Sequence, residues 1–366
     1  MHDLSECAIL IVDDVEANID ILVHTLENDY QLRVAMDGQA ALESIELNSP
    51  DIILLDVMMP IMDGYEVIRR LKSDERTRLI PVLFLTALTD QQAEAKGLAL
   101  GAVDFITKPF NPELVKARVH NHLLLKRHQD DLEGLVAERT TQLRQTQDVI
   151  IQNMGVMAEC RDPETGGHIK RTQGYVRVLA ERLRTWPKFK ELLSPATIEL
   201  LYKSAPLHDI GKVAIADSIL LKPGKLTPEE FDEMKKHTHY GRDVIMRCEK
   251  DLPYESFLDV AREIAYSHHE KWDGSGYPQG LAGDGIPVAG RIMALADVYD
   301  ALVSKRVYKP PFPHAKAVTI IREGRGQHFD PDMVDAFLGI EETFRQVAFE
   351  FADYEEERIN LMPRPN

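Results

Sequence analysis

The sequence predicts two folds in one chain: an amino-terminal α/β unit on a parallel sheet and an all-helical carboxy-terminal unit, joined by a long polar helix. Three observations lead there. Short apolar runs alternate with amphipathic helical stretches through the first 120 residues. A charge-laced segment with Gly134 as its only glycine or proline fills positions 122 to 151. Beyond Asn153 helical patterning continues to about Phe349, broken by Gly- and Pro-marked loops and without a strand-like run. The length of 366 residues agrees with two cores at about 150 residues per domain.

Taken in order, Ala8-Ile9-Leu10-Ile11-Val12 is the first strand and ends in Asp13-Asp14. A helix over Gln39 to Leu47 follows, then the strand Asp51 to Asp56, a helix over Gly64 to Leu71, and strands at Pro81 to Thr86 and Val103 to Ile106. Continuous apolar strands alternating with helices require a sheet covered on both faces. Ligands of such sheets collect at the carboxyl ends of the strands, where Asp13, Asp14, Asp56, Thr86 and Lys108 all fall. One Asp after a strand is ordinarily a helix cap; five suited residues at successive strand ends are a site. Converging carboxylates raise one another's pKa unless a cation sits among them. A hard divalent ion with oxygen ligands, Mg²⁺, meets that need, and Lys108 and Thr86 are then placed to contact a phosphoryl group.

In the joining helix Leu125, Leu132, Leu135, Leu143 and Ile150 advance by 7, 3, 8 and 7 residues, close to a heptad stripe. So narrow a seam either packs on its own domain or pairs with a second helix, and pairing, hence a coiled-coil homodimer, is the expectation. The expected divisions are 5–125, a helical linker at 126–151, 152–349, and a poorly ordered tail at 350–366 that is acidic and then Pro-rich.

The second unit is rich in metal-ligand residue types. His208-Asp209 follows Leu201 to Leu207 on an expected helix, and His268-His269-Glu270 follows the helical Val260 to Ser267. Asp297 closes Ile292 to Asp297, and His237 precedes Gly241 in a further helix. Glu164 and His168 are four apart and share a face if helical. Imidazoles with carboxylates suit Fe, Mn, Zn or Ni rather than Ca²⁺. Two or more such ions bridged by a carboxylate can activate water and hold both oxygens of a phosphodiester undergoing in-line attack. A lone His is more often a surface or core residue, the reading given to His2, His24, His120, His122, His128 and His314; His239, two residues past His237, faces elsewhere on a helix.

Composition sets limits. Sixty acidic against 43 basic residues give a formal charge of −17, which argues against a DNA-binding surface. Residues 1–125 hold 21 acidic against 10 basic residues, or −11, and the remaining 39 against 33 give −6, so the half with the histidines is nearer balance. No apolar run approaches the roughly 18 residues of a membrane helix. Cys7, Cys160 and Cys248 lie too far apart to suggest a disulfide framework or a CxxC zinc site. A soluble, cytoplasmic protein without membrane insertion is expected.

Two resemblances sharpen this reading. Asp13-Asp14, Asp56-Val-Met-Met-Pro60, Asp63-Gly64, Thr86 and Lys108-Pro109 resemble the receiver domains of bacterial response regulators over about residues 5 to 125. That implies a five-stranded flavodoxin-like fold with Asp56 as phospho-acceptor from a cognate histidine kinase. It implies Mg²⁺ on Asp13, Asp14 and the Met58 carbonyl, phosphoryl contacts from Thr86 and Lys108, Phe105 at an aromatic switch position, and a cis Lys108-Pro109 bond. His208-Asp209-Ile210-Gly211-Lys212, then His268 to Pro278 (reading HHEKWDGSGYP), and Gln327-His328-Phe329-Asp330-Pro331 resemble the HD-GYP phosphohydrolases from about Asn153 to Leu338. That resemblance implies hydrolysis of cyclic di-GMP to pGpG and/or GMP at a bi- or trinuclear centre of Fe, or Mn, Ni or Zn. Its ligands would be His168, His208, Asp209, His237, His268, His269 and Asp297, with Asp209 bridging and Glu164 supporting a third ion. His208, Asp209 and Lys212 would be catalytic, and Lys212, Asp300, Arg306 and Lys309 substrate-binding. Tyr277 lies in a Gly-rich loop implied to shape the site and to meet partners such as diguanylate cyclases. Ala216 stands where Pro often precedes Asp217, away from the chemistry. Three other readings stay open: a hydrolase of another cyclic dinucleotide, a hydrolase of pGpG, and a catalytically weak sensor or scaffold.

Overall fold

The apolar runs become strands because each is long enough to cross a sheet and keeps its polar side chains at or near its ends. The computed structural model describes residues 3–87, 91–159, 167–250, 256–305 and 310–362, and the chain divides into two units, residues 1–141 and 142–366. The first unit runs β1 (Ala8–Val12), α1 (Glu16–Leu26), β2 (Gln31–Ala35), α2 (Gly38–Leu47), β3 (Ile52–Asp56), α3 (Gly64–Ser73), β4 (Val82–Ala87), α4 (Gln91–Ala99), β5 (Asp104–Lys108) and the start of α5 (Pro112–Glu159).

All strands are parallel, in the order β2-β1-β3-β4-β5. Leu10, Leu55 and Phe84 pack with Val67, Ile68 and Leu71 of α3 on one face. On the other, Ile9, Ile11, Leu54 and Leu83 pack with Leu22 and Leu26 of α1 and Val115 and Val119 of α5. β2 escaped the sequence reading because it is an edge strand, exposed or half-buried except at Ala35, so its residues need not be apolar. Side-by-side register brings Thr86 beside Thr107 and Ala87 beside Lys108, and Asp56, Thr86 and Lys108 thus reach the same sheet end.

The second unit continues with α6 (Gly167–Arg184), α7 (Pro195–Ser204), α8 (Asp217–Leu220), α9 (Pro228–Lys235), α10 (His237–Glu249), α11 (Phe257–Ser267), α12 (Val288–Val303), α13 (His314–Glu323), α14 (Pro331–Leu338), α15 (Glu341–Glu350) and α16 (Glu355–Leu361). Among the described residues it has no strand, only an isolated bridge between Arg325 and Phe329. Its core packs Tyr175, Leu179 and Leu183 of α6 against Ile292, Leu295 and Tyr299 of α12, with Phe337 and Phe344 behind.

Two expectations are corrected. His208 and Asp209 lie not on a helix but between two 3₁₀ turns, Ala205–Leu207 and Ile210–Ala214. Pro206, at the start of the first turn, has no N–H with which to continue α7. The tail is ordered through Leu361: α16 buries Leu361 in the main core and Glu357 beneath the chain.

α5 is one helix of 48 residues. Leu125, Leu132, Leu135, Leu143 and Ile150, the residues of the stripe, are all exposed. Its last turns pack within the second unit, where buried Ile151 joins Leu207, Ile245 and Ala261. Gly155 lies so close to the next segment that a Cβ would stand 2.7 Å from the Pro206 carbonyl oxygen.

Candidate metal and phosphoacceptor sites

At the sheet end of the first unit, Asp13, Asp14 and Asp56 each present a carboxylate oxygen within 4.8 Å of the others. Lys108 bridges two of them, its Nζ 2.8 Å from Asp13 Oδ2 and 3.0 Å from Asp56 Oδ2. Burial pushes the Asp56 carboxyl up, against the pull of Lys108 and of the Met58 N–H that donates to it. For Lys108 burial acts downward, yet its hydrogen bonds to Asp13 and Asp56 outweigh this and hold it above the ordinary lysine value. Asp13 is fully buried and also accepts from Asn18 Nδ2 at 2.9 Å and the Val15 N–H at 3.0 Å. Asn18 was missed because a polar residue in a helix's first turn carries no signal of its own. Thr86 is buried at the end of β4, and Met58 is exposed in the loop after β3. The Lys108–Pro109 bond is cis, as is Tyr277–Pro278. Phe105 lies beneath Arg118, whose guanidinium carbon is 5.4 Å from the ring centroid.

The histidines of the second unit form two groups. Asp209, His237, His268 and His269 can each offer an atom within 4.8 Å of the others, and so can His168, His208 and Asp297. They arrive from separate elements: His168 from the first turn of α6, His237 from the first residue of α10, His268 from the end of α11, and Asp297 from α12. Local backbone sets each ring. Nδ1 of His208 meets the Ala205 carbonyl at 2.9 Å, that of His237 the Met234 carbonyl at 2.7 Å, and that of His268 the Ile264 carbonyl at 3.0 Å. A carbonyl only accepts, so each Nδ1 is the donor, and in the neutral ring the lone pair is on Nε2.

Those lone pairs meet at Asp209. Its Oδ1 lies 3.2 Å from His237 Nε2 and 3.5 Å from His268 Nε2, while Oδ2 lies 3.4 Å from His208 Nε2. One carboxylate thus turns an oxygen to each group. Gly211 makes the approach possible, since a Cβ there would collide with the His237 carbonyl oxygen.

The group fits divalent cations on its own chemistry. Asp209 Oδ1, His237 Nε2 and His268 Nε2 are buried without a hydrogen-bond partner, a costly arrangement that an ion among them removes. Burial holds His268 and His269 below the ordinary histidine value. Burial acts upward on Asp209, but Lys212 and His208 outweigh it and hold the carboxyl well down. Neutral imidazoles and an ionised carboxylate are the states a metal requires. His208 is the exception: burial lowers it, but the Asp209 charge prevails and raises it, and a cation beside Asp209 takes the place of that proton.

Lys212 Nζ sits 2.8 Å from Asp209 Oδ2. The Tyr277 ring stacks on His269 with centroids 4.7 Å apart. Glu270, buried, accepts from the Gln279 N–H at 2.7 Å and the Leu281 N–H at 3.0 Å, so it holds the Gly-rich loop in place. The Trp272 and Asp273 N–H groups donate to His328 and Gln327, joining that loop to the second motif stretch. Asp330 in turn receives Arg291 at 2.8 Å. His239 stays outside both groups and packs on Tyr266.

Asp300 is corrected. Only 1% exposed, it has no surface for a substrate; it accepts from His168 Nδ1 at 2.8 Å and from Arg171 Nε at 2.7 Å and Nη2 at 3.0 Å. It holds Nδ1 of His168, the place that carboxylates take behind metal-bound histidines. Three residues after Asp297 on α12, it lies one helical turn deeper, which spacing alone did not reveal. Arg171 was missed altogether. Glu164, Arg306 and Lys309 lie outside the described residues.

Comparison with known proteins agrees with this geometry. The family described as response regulator receiver domain matches residues 9–120, and the HD domain family matches residues 154–333. A Vibrio cholerae protein named "Probable cyclic di-GMP phosphodiesterase" is 49% identical, covering 99% of this chain and 84% of its own. A Xanthomonas campestris protein named "Cyclic di-GMP phosphodiesterase response regulator RpfG" is 35% identical over 94% of this chain and 90% of its own. A third, the Vibrio cholerae "3'3'-cGAMP-specific phosphodiesterase 2", is 42% identical over 54% of this chain and 35% of its own length.

Proposed function

The chain belongs to the response regulators that join a receiver domain to a metal-dependent HD phosphohydrolase domain, and from that premise we propose that it hydrolyses cyclic di-GMP to pGpG and/or GMP under the control of Asp56. The observation that carries the reading is the buried Asp209 carboxylate, with one oxygen toward His237 and His268 and the other toward His208. On this reading Asp209, His237, His268 and His269 hold one ion, and His168, His208, Asp297 and the second Asp209 oxygen hold another. Imidazoles suit Fe, Ni or Zn, and the carboxylates among them also admit Mn. Glu164 supports a third ion, and Arg306 and Lys309 meet substrate, on the sequence resemblance alone.

Bound ions supply Lewis-acid stabilisation of charge on the phosphodiester and bring a water's pKa down to about 7. The protein's own residues do the rest. Carbonyl contacts fix the tautomers of His208, His237 and His268, so no reorganisation is needed when ligand lone pairs are used. Lys212 keeps Asp209 ionised and brings a positive charge where a phosphate oxygen must arrive. The loop held by Glu270 places Tyr277 over His269 and closes that edge of the site.

Asp56 receives a phosphoryl group from a histidine kinase, with Mg²⁺ on Asp13, Asp14 and the Met58 carbonyl. The phosphoryl group carries a charge of about −1.5 to −2 in place of the single carboxylate charge of Asp56, and it draws Lys108 from its present pairing with Asp13 and Asp56 onto the new group, which Thr86 also contacts. α5 relays the change, a role supported by Ile151 and Gly155 packing beside Leu207 and Pro206, next to His208. The exposed leucine stripe pairs with that of a second copy in a homodimer, and the Gly-rich loop offers a surface to diguanylate cyclases. The protein works in the cytoplasm; no described helix is long and apolar enough to cross a membrane.

A second reading, hydrolysis of a different cyclic dinucleotide, is favoured by the 42% identity of the catalytic half to the cGAMP phosphodiesterase. One assay decides. Anaerobic protein stripped of metal should be inert, and Fe²⁺ or Mn²⁺ should restore turnover of cyclic di-GMP over 3',3'-cGAMP and pGpG offered in competition. The His208→Ala/Asp209→Ala variant should have none. Acetyl phosphate should change the wild-type rate and leave Asp56→Asn unaffected. No loss of cyclic di-GMP with either metal sinks the reading; a surviving cellular output in the inert variant favours the scaffold.

A further inference from the structure

Residues 351–361 lie past the 154–333 stretch that the HD domain family matches, yet they reach the metal centre through three side chains. Asp353 Oδ2 accepts from Arg171 Nη1 at 2.8 Å, and the Phe351 carbonyl accepts from the same nitrogen at 2.9 Å. The other edge of the Arg171 guanidinium grips Asp300 through two hydrogen bonds, and Asp300 receives Nδ1 of His168. Nε2 of His168 then stands 3.5 Å from His208 Nε2 and 3.9 Å from Asp297 Oδ1. Arg171 and Asp300 are both nearly fully buried, so the inner links of this chain of contacts are shielded from water, with Asp353 at its exposed end.

The segment is itself fastened. Glu357, 2% exposed, accepts from the Lys305 N–H at 2.7 Å and the Asp353 N–H at 2.9 Å. Leu361 is in the core and its carbonyl receives Arg345. At the start of α6, a Cβ on Gly167 would collide with the Asp353 carboxylate and with Arg171, so this position beside His168 leaves room for the strap and nothing larger.

We propose that residues 351–361 form a positioning strap for the His168–His208–Asp297 ion: Asp353, acting through Arg171 and Asp300, sets the His168 imidazole. A neutral or misplaced residue at 353 leaves that edge of Arg171 on the Phe351 carbonyl alone, and the guanidinium can then turn away from Asp300. The other group, Asp209–His237–His268–His269, has no link to the strap in the hydrogen bonds described above. The strap therefore acts on one ion of two. This inference rests on the metal centre proposed above.

The test is Mn²⁺ binding by the full chain, measured by equilibrium dialysis with metal quantification, with excess Mg²⁺ present to occupy the receiver carboxylates. Wild type should take up two Mn²⁺ at the His168 and Asp209 groups, besides any held through Glu164. Asp353→Asn should bind one of them at least about tenfold more weakly, the usual cost of losing a partner behind a metal ligand, and leave the other unchanged. Asp353→Glu should restore binding. Glu357→Gln, which loosens the strap while keeping Asp353, should weaken the same ion. Wild-type binding at both sites in Asp353→Asn and Glu357→Gln overturns the strap. So does loss of both ions together with a lowered thermal midpoint, which marks a structural role. Wild type that takes up no Mn²⁺ overturns the metal centre and the strap with it.

Discussion

At Gly211 the backbone passes so close to α10 that any side chain would strike the His237 carbonyl. Gly211→Ala must push α10 away, and overpacking of this kind costs about 1–3 kcal/mol. A lower urea midpoint together with weaker Mn²⁺ binding is expected, because His237 moves with the carbonyl; unchanged binding would show that α10 absorbs the shift elsewhere. His314 gives a pH-dependent counterpart away from the metal groups. Its Nδ1 is 2.8 Å from the Tyr299 hydroxyl, and burial lowers it below the ordinary histidine value, with Arg345 lowering it further and Glu342 opposing. A lowered pKa means the folded state prefers the neutral ring. Stability is therefore full above about pH 6.5 and falls as pH drops below it. His314→Phe should remove that part of the acid loss, seen as a smaller drop in thermal midpoint between pH 7.5 and 5.5 than in wild type.

Among the elements, the far end of the loop from Lys271 to Leu281 is held by one buried carboxylate. Glu270 serves two backbone donors, Gln279 and Leu281, from the end of α11. Glu270→Gln offers one acceptor and sets an amide N–H₂ against the other donor. Hydrogen exchange at those two amides should speed by about tenfold, the scale of one charge-assisted bond, while Mn²⁺ stoichiometry stays at the wild-type value because Glu270 belongs to neither ligand group. α16 teaches the opposite lesson about sequence. Acidic and followed by a Pro-rich stretch, it read as part of a tail, yet Leu361 and Glu357 are both buried; a helix of seven residues has too few apolar positions for its periodicity to register.

For the molecule as a whole, α5 is the element that belongs to both units, and its exposed stripe is the proposed dimer seam. Leu132→Lys with Leu143→Lys places charges in that seam without touching either core. Light scattering after size exclusion should change from dimer to monomer, with the far-ultraviolet circular dichroism preserved. A wild-type monomer would remove the dimer from the proposal. The uneven charge, −11 in residues 1–125 and −6 beyond, fits an acidic pocket for Mg²⁺ in one unit and a centre in the other where ions supply the positive charge that an anionic substrate needs.

By itself the sequence determined four of the five strands, the acidic sheet end and the histidine-rich motifs, because these are local: apolar runs of strand length, residues at strand ends, and motif phrases read in order. It determined less wherever a residue's role depends on what lies across the fold. Asp300 looked like a substrate contact and is instead buried behind His168, because only the packing of α12 on α6 decides which side of that helix meets the ligand. Arg171 and Asp353 carried no signal, being ordinary charges until folding brings them together across more than 180 positions. β2 was invisible because an edge strand is free to be polar. The tertiary structure alone decided that one oxygen of Asp209 faces His237 and His268 and the other His208, since ring orientation follows from carbonyls three or four residues away and from helices that meet only in the folded chain.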